Sequence, residues 1–145
     1  MNLNEFISKV KELGIELNDN QINQFNKYYE LLVEYNKVMN LTGITEEEEV
    51  YEKHFYDSLL FSFNENMENL SLIDVGSGAG FPGVPLAIAY PSLNVTLLEP
   101  LTKRCKFLEL VINKLKLSKI KVINERAEIY SKEVREKFDI VTSRA

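Results

Sequence analysis

The chain has 145 residues, a net charge of −5 and a hydrophobic fraction of 45%. This length suits one folded domain with a substantial core, and no apolar stretch of the sequence is long enough for a membrane span. The single cysteine excludes an intrachain disulfide, which is typical of the reducing cytoplasm. The first residues lack the basic and apolar regions of a secretory signal, so we expect a cytoplasmic protein.

The N-terminal part of the chain has the periodicity of helices. Residues 4–12 carry apolar side chains on one helical face, and Gly14 is a stop signal. Residues 20–38 predict a longer helix, for which Asn18 and Asn20 are candidate N-caps. The pattern therefore indicates an N-terminal helical lobe.

A third helix is predicted over residues 45–62. Thr45 and Glu48 have the spacing of a capping box, and the acids that follow Thr45 favour the positive end of a helix dipole. The polar stretch Asn64–Asn69 then separates the helical lobe, residues 1–69, from the rest of the chain.

In residues 70–145 the apolar pattern changes to short β-branched runs. These predict strands at Leu72–Val75, Val95–Leu98, Ile120–Ile123 and Phe138–Thr142. Helical segments are predicted between them, at 84–90, 101–116 and 131–136. The alternation indicates an α/β fold with a parallel sheet and right-handed crossovers. Because the last strand would have an uncovered edge, we expect the natural protein to continue with further strands.

The most informative stretch is residues 72–83, Leu-Ile-Asp-Val-Gly-Ser-Gly-Ala-Gly-Phe-Pro-Gly. A buried strand passes through an acid into a glycine-rich turn, and a helix is predicted after Pro82. Strand, glycine turn and helix N-terminus together predict a nucleotide-type cofactor site. A turn without a ligand is disfavoured, since closely spaced glycines are entropically costly.

Two interpretations of this turn are open. Residues 78–83 match the GxGxxG dinucleotide fingerprint, which taken alone is a weak signal. Residues 76–80 form a GxGxG turn that closely follows Asp74. The prolines on either side of Gly83 favour the second interpretation, because they predict a helix that begins too late for the packing role of a third fingerprint glycine.

Acidic residues follow the next two predicted strands. Glu99 ends the second strand, at a distance from the glycine turn that suits an acceptor of ribose hydroxyl protons. Without the turn it would be interpreted as a solvated surface group. Ala127 and Glu128 follow the third strand and could lie along an adenine, although a helix cap explains them equally well.

Taken together, these motifs resemble the class I S-adenosylmethionine-dependent methyltransferases, and more specifically the RsmG family (glucose-inhibited division protein B). The glycine turn alone is typical of the superfamily. The FPGxP extension, the HxxDS helix and the terminal SRA make the family resemblance specific. The resembling segments span essentially the whole chain: Asn40–Thr42, His54–Ser58, Ile73–Leu86, Lys103–Leu108 and Ser143–Ala145.

The resemblance implies a Rossmann-like core with strand order 3-2-1-4, cut short after its fourth strand, and an N-terminal helical lobe. It implies methyl transfer from S-adenosylmethionine to N7 of a guanine in bacterial 16S ribosomal RNA, with that RNA or a small ribosomal subunit particle as partner and no metal. The residues at family cofactor contacts are Gly76, Phe81, Ala127, Glu128 and Arg144. Gly78 and Glu99 fit the same pocket by superfamily logic.

The same resemblance suggests how the site operates. The free amides after Gly80 would face the methionine carboxylate, and Asp74 would meet the cofactor's amino group. Because guanine N7 carries an exposed lone pair, no general base is required. Two other functions stay open, namely a nucleotide-cofactor oxidoreductase and a non-catalytic module that binds RNA or ribosomal particles.

Several further side chains are candidates for the substrate side. His54, Asp57 and Ser58 share a helical face, where they either pack the helical lobe onto the sheet or face the substrate. The positioning candidates are Arg144, His54 and Asp57. Lys103 and Arg104 open the helix after Glu99 and are candidates for RNA phosphate or base contact. Cys105 is expected to be a buried small apolar residue.

Overall fold

The fold, obtained as a computed structural model, is described for residues 1–63, 65–130, 134 and 136–143. Its centre is a parallel four-stranded sheet with the order β3-β2-β1-β4. The predicted α/β class and strand order are both confirmed. The strands are β1 (Ser71–Val75), β2 (Asn94–Leu98), β3 (Ile120–Ile123) and β4 (Ile140–Ser143).

The fourth strand begins at Ile140 rather than at the predicted Phe138. The reason lies in Asp139, whose carboxylate accepts hydrogen bonds from the amide of Ser71 at 2.8 Å and from its hydroxyl at 3.1 Å. The amide of Asp139 donates in turn to the Ser71 hydroxyl at 3.0 Å. Side-chain hydrogen bonds thus replace the strand ladder at this point and delay its start.

The first two helices match their predictions. Helix α1 (Leu3–Glu12) and helix α2 (Asp19–Asn36) each begin with a capping box, formed at α2 by Asn18 and Gln21. Each box satisfies amides that have no partner within the helix. The buried face of α2 includes Phe25, Tyr28 and Leu32, which belong to a core cluster that also holds β1 and β2 side chains.

The third helical stretch ends at the predicted Ser62 but changes pitch along its length. It consists of α3 (Glu47–Val50), a π-helical segment (Tyr51–Tyr56), α4 (Asp57–Leu59) and a 3₁₀ turn (Leu60–Ser62). The capping box predicted at Thr45 is wrong, because the N-cap is Glu46 and makes no side-chain capping bond. The carbonyl of Thr45 instead accepts a hydrogen bond from the Tyr29 hydroxyl at 2.8 Å.

Helix α5 (Gly83–Ala89) and helix α6 (Thr102–Leu115) connect the first three strands, as predicted. Glutamines on α2 stabilise the free carbonyls at the ends of both helices. Gln21 Nε2 donates to the carbonyls of Ile88 and Ala89 at 2.9 and 3.2 Å, and Gln24 Nε2 donates to that of Leu115 at 2.8 Å. Helix α2 is therefore fastened to the sheet unit by specific hydrogen bonds as well as by apolar contacts.

The predicted helix at 131–136 and the predicted lobe boundary at 64–69 fall partly outside the described residues. The division into residues 1–69 and 70–145 stays a prediction. Within the described ranges, no helix combines the length and the apolar character needed to cross a bilayer.

Candidate functional site

A cavity of about 640 Å³ opens where the carboxyl ends of β1, β2 and β3 meet. Ligands of open α/β sheets bind at this edge, beside the point where the strand order reverses. The lining residues come from the ends of these strands and from the segment after β3: Val75, Gly76, Leu98, Pro100, Glu125, Arg126, Ala127, Glu128 and Ile129. The fold therefore brings together three of the predicted site residues, Gly76, Ala127 and Glu128.

The glycine turn contributes Gly76 to one wall of the cavity, and several of its amides already have acceptors within the protein. Gly76 and Ser77 donate to the carbonyl of Leu98 at 2.8 and 3.2 Å, and Gly80 donates to that of Ser77 at 2.8 Å. Gly78 donates to the Glu99 carboxylate at 2.8 Å. The expectation concerned the amides after Gly80, of which that of Gly83 donates to Asp74 Oδ2 and that of Val84 donates to the carbonyl of Gly80. The contact of this helix start with the methionine carboxylate stays a prediction.

Gly83 has a tighter packing role than the sequence suggested. It is the first residue of α5, and a Cβ at this position would meet the side chain of Leu97 and lie 3.0 Å from Asp74 Oδ2. The two prolines do not delay the helix, so the argument built on them is wrong. Gly83 allows α5 to approach β1 and β2 closely, which is the role of a third fingerprint glycine.

Asp74 is completely buried and turns towards α5 and β4. Its Oδ2 accepts from the Gly83 amide at 3.1 Å, and its Oδ1 accepts from the Thr142 hydroxyl at 3.3 Å. A buried carboxylate needs such donors to offset its lost hydration. Asp74 therefore joins β1, α5 and β4, and the structure gives it internal partners rather than the cofactor contact that was expected.

Glu99 follows β2 and is only 2% exposed. One carboxylate oxygen accepts from the amide of Gly78, and the other accepts from the amide of Leu101, each at 2.8 Å. The side chain thus ties the glycine turn to the start of α6. Gly78 and Glu99 do not line the cavity themselves. Glu99 is flanked in the chain by the lining residues Leu98 and Pro100, and Gly78 belongs to the same turn as the lining residue Gly76.

Phe81 is buried inside the turn rather than lining the cavity, with 8% of its surface exposed. Its ring stacks on that of His54, with centroids 4.3 Å apart and planes inclined by 12°. The Tyr28 hydroxyl donates to the carbonyl of Ala79 at 2.6 Å, so the helical region holds the turn at a second place. Gly80 is required beside it, because a Cβ there would lie 2.6 Å from that hydroxyl.

His54, Asp57 and Ser58, which are predicted to share a helical face, differ in burial. Ser58 is buried, His54 is half-buried and Asp57 is exposed. The π-helical segment explains the difference, because the Asp57 amide donates to the carbonyl of Glu52, one residue further back than in an α-helix. His54 contacts the glycine turn, in agreement with the interpretation that this helix packs onto the sheet unit.

The segment after β3 forms the opposite wall of the cavity. Its Asn124 amide lies 3.0 and 3.2 Å from the carbonyls of Pro100 and Glu99 when its nitrogen faces them, and its oxygen then accepts from the Thr102 hydroxyl. Glu125 Oε2 is buried and has no hydrogen-bond partner among the described residues. A buried acceptor without a donor is costly, and a ligand in the cavity would supply one.

The remaining candidates lie around the start of α6. Lys103 is exposed, and Arg104 Nη2 lies 3.5 Å from the carbonyl of Asn40, to which it donates. Cys105 is buried and its thiol donates to the carbonyl of Glu99, as expected for an unreactive residue. Burial, together with the charges of nearby carboxylates, raises the pKa of this thiol.

Arg144, the remaining predicted site residue, lies outside the described residues.

Sequence reasoning missed several lining residues: Val75, Leu98, Pro100, Glu125, Arg126 and Ile129. Val75, Leu98 and Pro100 could have been predicted, because residues at the carboxyl ends of adjacent parallel strands meet at one edge of the sheet. The sequence could not have predicted that Glu125 Oε2 is buried without a donor among the described residues, because its burial depends on the path of the chain after β3.

The strand order and the crossover helices define a Rossmann-like α/β fold, which solved methyltransferases share. A solved protein-L-isoaspartate O-methyltransferase matches 97% of this chain and 47% of its own with a TM-score of 0.62 at 13% identity. The Plasmodium falciparum structure of a protein described as such an enzyme, solved with S-adenosyl-L-homocysteine, matches 99% of this chain and 73% of its own with a TM-score of 0.57 at 20% identity. At these identities, the likeness concerns the fold alone.

Sequence comparison narrows the class to one family. The model of rRNA small subunit methyltransferase G (GidB) matches residues 21–145, and the chain belongs to this family. Proteins named ribosomal RNA small subunit methyltransferase G are 49% identical in Bacillus velezensis and 52% identical in Staphylococcus epidermidis, over the whole of this chain. The chain spans 62% of the length of each of these relatives.

Proposed function

We propose that this chain carries the cofactor site of an enzyme that transfers a methyl group from S-adenosylmethionine to N7 of a guanine in 16S ribosomal RNA, in the cytoplasm. The family membership and the names of its relatives support the reaction class. The observation that carries the proposal is the cavity at the carboxyl ends of β1, β2 and β3, whose lining suits an adenosyl group.

The chemistry of the lining suits a nucleoside. Leu98, Pro100 and Ile129 offer apolar surface to a base, and the buried Oε2 of Glu125 lacks a donor among the described residues. Such an acceptor suits an exocyclic amino group or a hydroxyl. Glu125 and Glu128 outweigh the one cationic lining residue, Arg126, so that the lining has a net negative charge, which favours a cofactor with a net positive charge.

The predicted contacts can be assigned as proposals. Gly76, Ala127 and Glu128 would touch the cofactor directly, since they line the cavity. Glu99 would hold the glycine turn through its hydrogen bond with the Gly78 amide. Its carboxylate oxygens would also have lone pairs left to accept from the ribose hydroxyls. We propose roles for Phe81 in shaping the turn and for Arg144 beside the bound methionine group.

The reaction needs positioning more than acid–base chemistry. When bound, the cofactor supplies a sulfonium-bound methyl group whose bond to sulfur breaks as the N7 lone pair forms the new bond, leaving the electron pair on sulfur. The chain holds the donor in line with N7 and keeps water away. Proper orientation of two reactants can account for about 7–11 kcal/mol of a barrier.

The proposed partner is 16S ribosomal RNA or a small ribosomal subunit particle. Lys103 and Arg104 lie at the start of α6, near the cavity wall formed by Pro100. Basic side chains at this edge suit phosphate contacts, and the guanidinium can also stack on a base.

Calorimetry tests the cofactor first. S-adenosylhomocysteine should bind to the purified protein in the micromolar range or tighter, and NAD should show no heat under the same conditions. Binding of NAD in preference would instead support an oxidoreductase. Retained RNA binding with no cofactor affinity would support a non-catalytic module.

Methyl transfer is tested separately. The purified protein should label 16S ribosomal RNA from radiolabelled S-adenosylmethionine, offered as naked RNA and as small subunits. Mapping should place the label on N7 of one guanine. Label on another atom or on large-subunit RNA would contradict the proposed substrate.

A further inference from the structure

We infer that His54 is a positioning residue for the glycine turn, and that it acts through Phe81 under the control of Thr42. The inference rests on the proposed cofactor site, because its consequence is the affinity of that site. It assigns a purpose to two motifs, Asn40–Thr42 and the His54 helix, that the cofactor contacts themselves do not use.

The first observation is the contact between His54 and Phe81. Their rings lie nearly parallel, with a 12° inclination and a 4.3 Å centroid separation. Phe81 directly follows Gly80 and precedes α5, so its position affects both the turn and the helix. Parallel ring contacts favour one relative orientation, which makes the imidazole a template for the place of Phe81.

The second observation is that His54 is itself held. Its Nε2 lies 2.7 Å from the Thr42 hydroxyl, which also accepts from the Ile44 amide at 3.1 Å. The Thr42 hydroxyl can donate to a bare Nε2 or accept from a protonated one, because accepting from Ile44 leaves it both its own proton and a second lone pair. The amide of Thr42 donates to Asn36 Oδ1 at 2.9 Å, which ties the segment to the end of α2.

The third observation is local backbone geometry. His54 lies in the π-helical segment, where the Asp57 amide bonds to the carbonyl of Glu52, and the Ser58 hydroxyl donates to the carbonyl of His54. Single π turns inside helices are often found at functional sites. Here the wider turn presents His54 to Phe81 while Phe55 next to it stays in the aromatic core.

These contacts form a chain from α2 through Thr42 and His54 to Phe81. Tyr28 holds the turn independently through the carbonyl of Ala79. Loss of the imidazole should therefore leave the fold intact and leave the Phe81 end of the turn less ordered. A less ordered turn must be ordered on binding, so the cofactor should bind more weakly.

Substitutions at both positions test the chain of contacts by calorimetry with S-adenosylhomocysteine. His54→Ala should weaken binding about tenfold, and His54→Phe should recover most of it, since an aromatic ring is restored. Thr42→Val should weaken binding about threefold, the scale of one modest hydrogen bond, and Thr42→Ser should bind like the unchanged protein.

Phe6→Leu is the matched control. Phe6 is fully buried, contacts the rings of Phe25, Tyr51 and Phe55, and is linked to Phe81 only indirectly, through the ring of Phe55. It should lower the midpoint of urea unfolding at least as much as His54→Ala while leaving cofactor affinity unchanged. Equal weakening of binding in both variants would overturn the inference, because a general loss of stability would then explain it.

Hydrogen exchange provides a second readout that needs no ligand. In His54→Ala the amide of Gly80 should exchange faster, while core amides of β1 keep their rates; Phe6→Leu should leave Gly80 unaffected. Unchanged Gly80 exchange together with unchanged affinity would overturn the role of His54. Failure of the unchanged protein to bind S-adenosylhomocysteine would instead contradict the proposed cofactor, and the exchange result would still decide the positioning role.

Discussion

The two walls of the cavity are built differently. The glycine turn is held from several directions, by Glu99 at Gly78, by Tyr28 at Ala79 and by His54 at Phe81. In the segment after β3, by contrast, the buried Glu125 Oε2 has no hydrogen-bond partner among the described residues. One wall is therefore complete without a ligand, while the other has a polar group that a ligand would satisfy.

This difference separates stability from binding. A preformed wall lowers the ordering cost of binding, and its residues contribute to folding even without a cofactor. A wall with an unsatisfied acceptor contributes little to folding and gains on binding. Substitutions that affect the glycine turn should therefore mainly lower the free energy of unfolding. Substitutions in the segment after β3 should mainly lower cofactor affinity.

The largest effect is expected for Gly83→Ala. The added methyl group would collide with the Leu97 side chain and with Asp74, where α5 meets the sheet. We expect a loss of about 3 kcal/mol in the free energy of unfolding, measured by urea denaturation. Gly43→Ala is the control, since a Cβ at Gly43 meets nothing within 4 Å. A loss below that of the control would show that α5 can move away from β1 at little cost.

A smaller loss is expected for Glu99→Gln. The amide nitrogen of glutamine would face one of the two backbone donors that the carboxylate now accepts, at Gly78 or Leu101. We expect about 2 kcal/mol less stability, in the range of hydrogen bonds to charged groups. Glu109→Gln on the exposed side of α6 should change little. Unchanged stability of the Glu99 variant would mean that the turn does not depend on this carboxylate.

Tyr28→Phe should have a moderate effect. It removes the hydroxyl that donates to Ala79 and keeps the ring that stacks on Phe55. The expected loss is about 1 kcal/mol, with weaker binding of S-adenosylhomocysteine, measured by urea unfolding and calorimetry. Tyr29→Phe removes a comparable hydrogen bond to Thr45 and should leave the affinity unchanged. Equal affinities for both variants would remove Tyr28 from the support of the turn.

The smallest effect on stability is expected for Glu125→Leu. Because the buried Oε2 has no donor among the described residues, its removal relieves a cost and should not lower the free energy of unfolding. Binding of S-adenosylhomocysteine should nevertheless fall about tenfold, since the acceptor for the ligand is lost. Glu34→Leu is the control, because Glu34 is an exposed acid of α2 that does not line the cavity. A strong loss of stability with normal affinity would reverse the proposed difference between the walls.

Most elements followed from local pattern. Apolar periodicity predicted α1, α2 and the strands, and the alternation of strand and helix predicted a parallel sheet, whereas the order β3-β2-β1-β4 came from the family resemblance. The local pattern was wrong in two places. It predicted a capping box at Thr45, whose carbonyl instead accepts from the distant Tyr29 hydroxyl. It also predicted that β4 begins at Phe138, where the neighbouring Asp139 accepts from the amide of Ser71. In both places a long-range hydrogen bond outweighed a short-range signal.

The sequence by itself determined the glycine turn, the acid that ends β2 and the edge of the sheet at which they meet, because strand direction and residue spacing are local properties. Only the tertiary structure decided that Asp74 and Glu99 accept from backbone amides, that Phe81 stacks on His54 and that Glu125 Oε2 is buried with no donor in the part of the chain that the structure describes. The physical reason is that partners and burial depend on residues far apart in the chain, which come together only when the helices pack on the sheet.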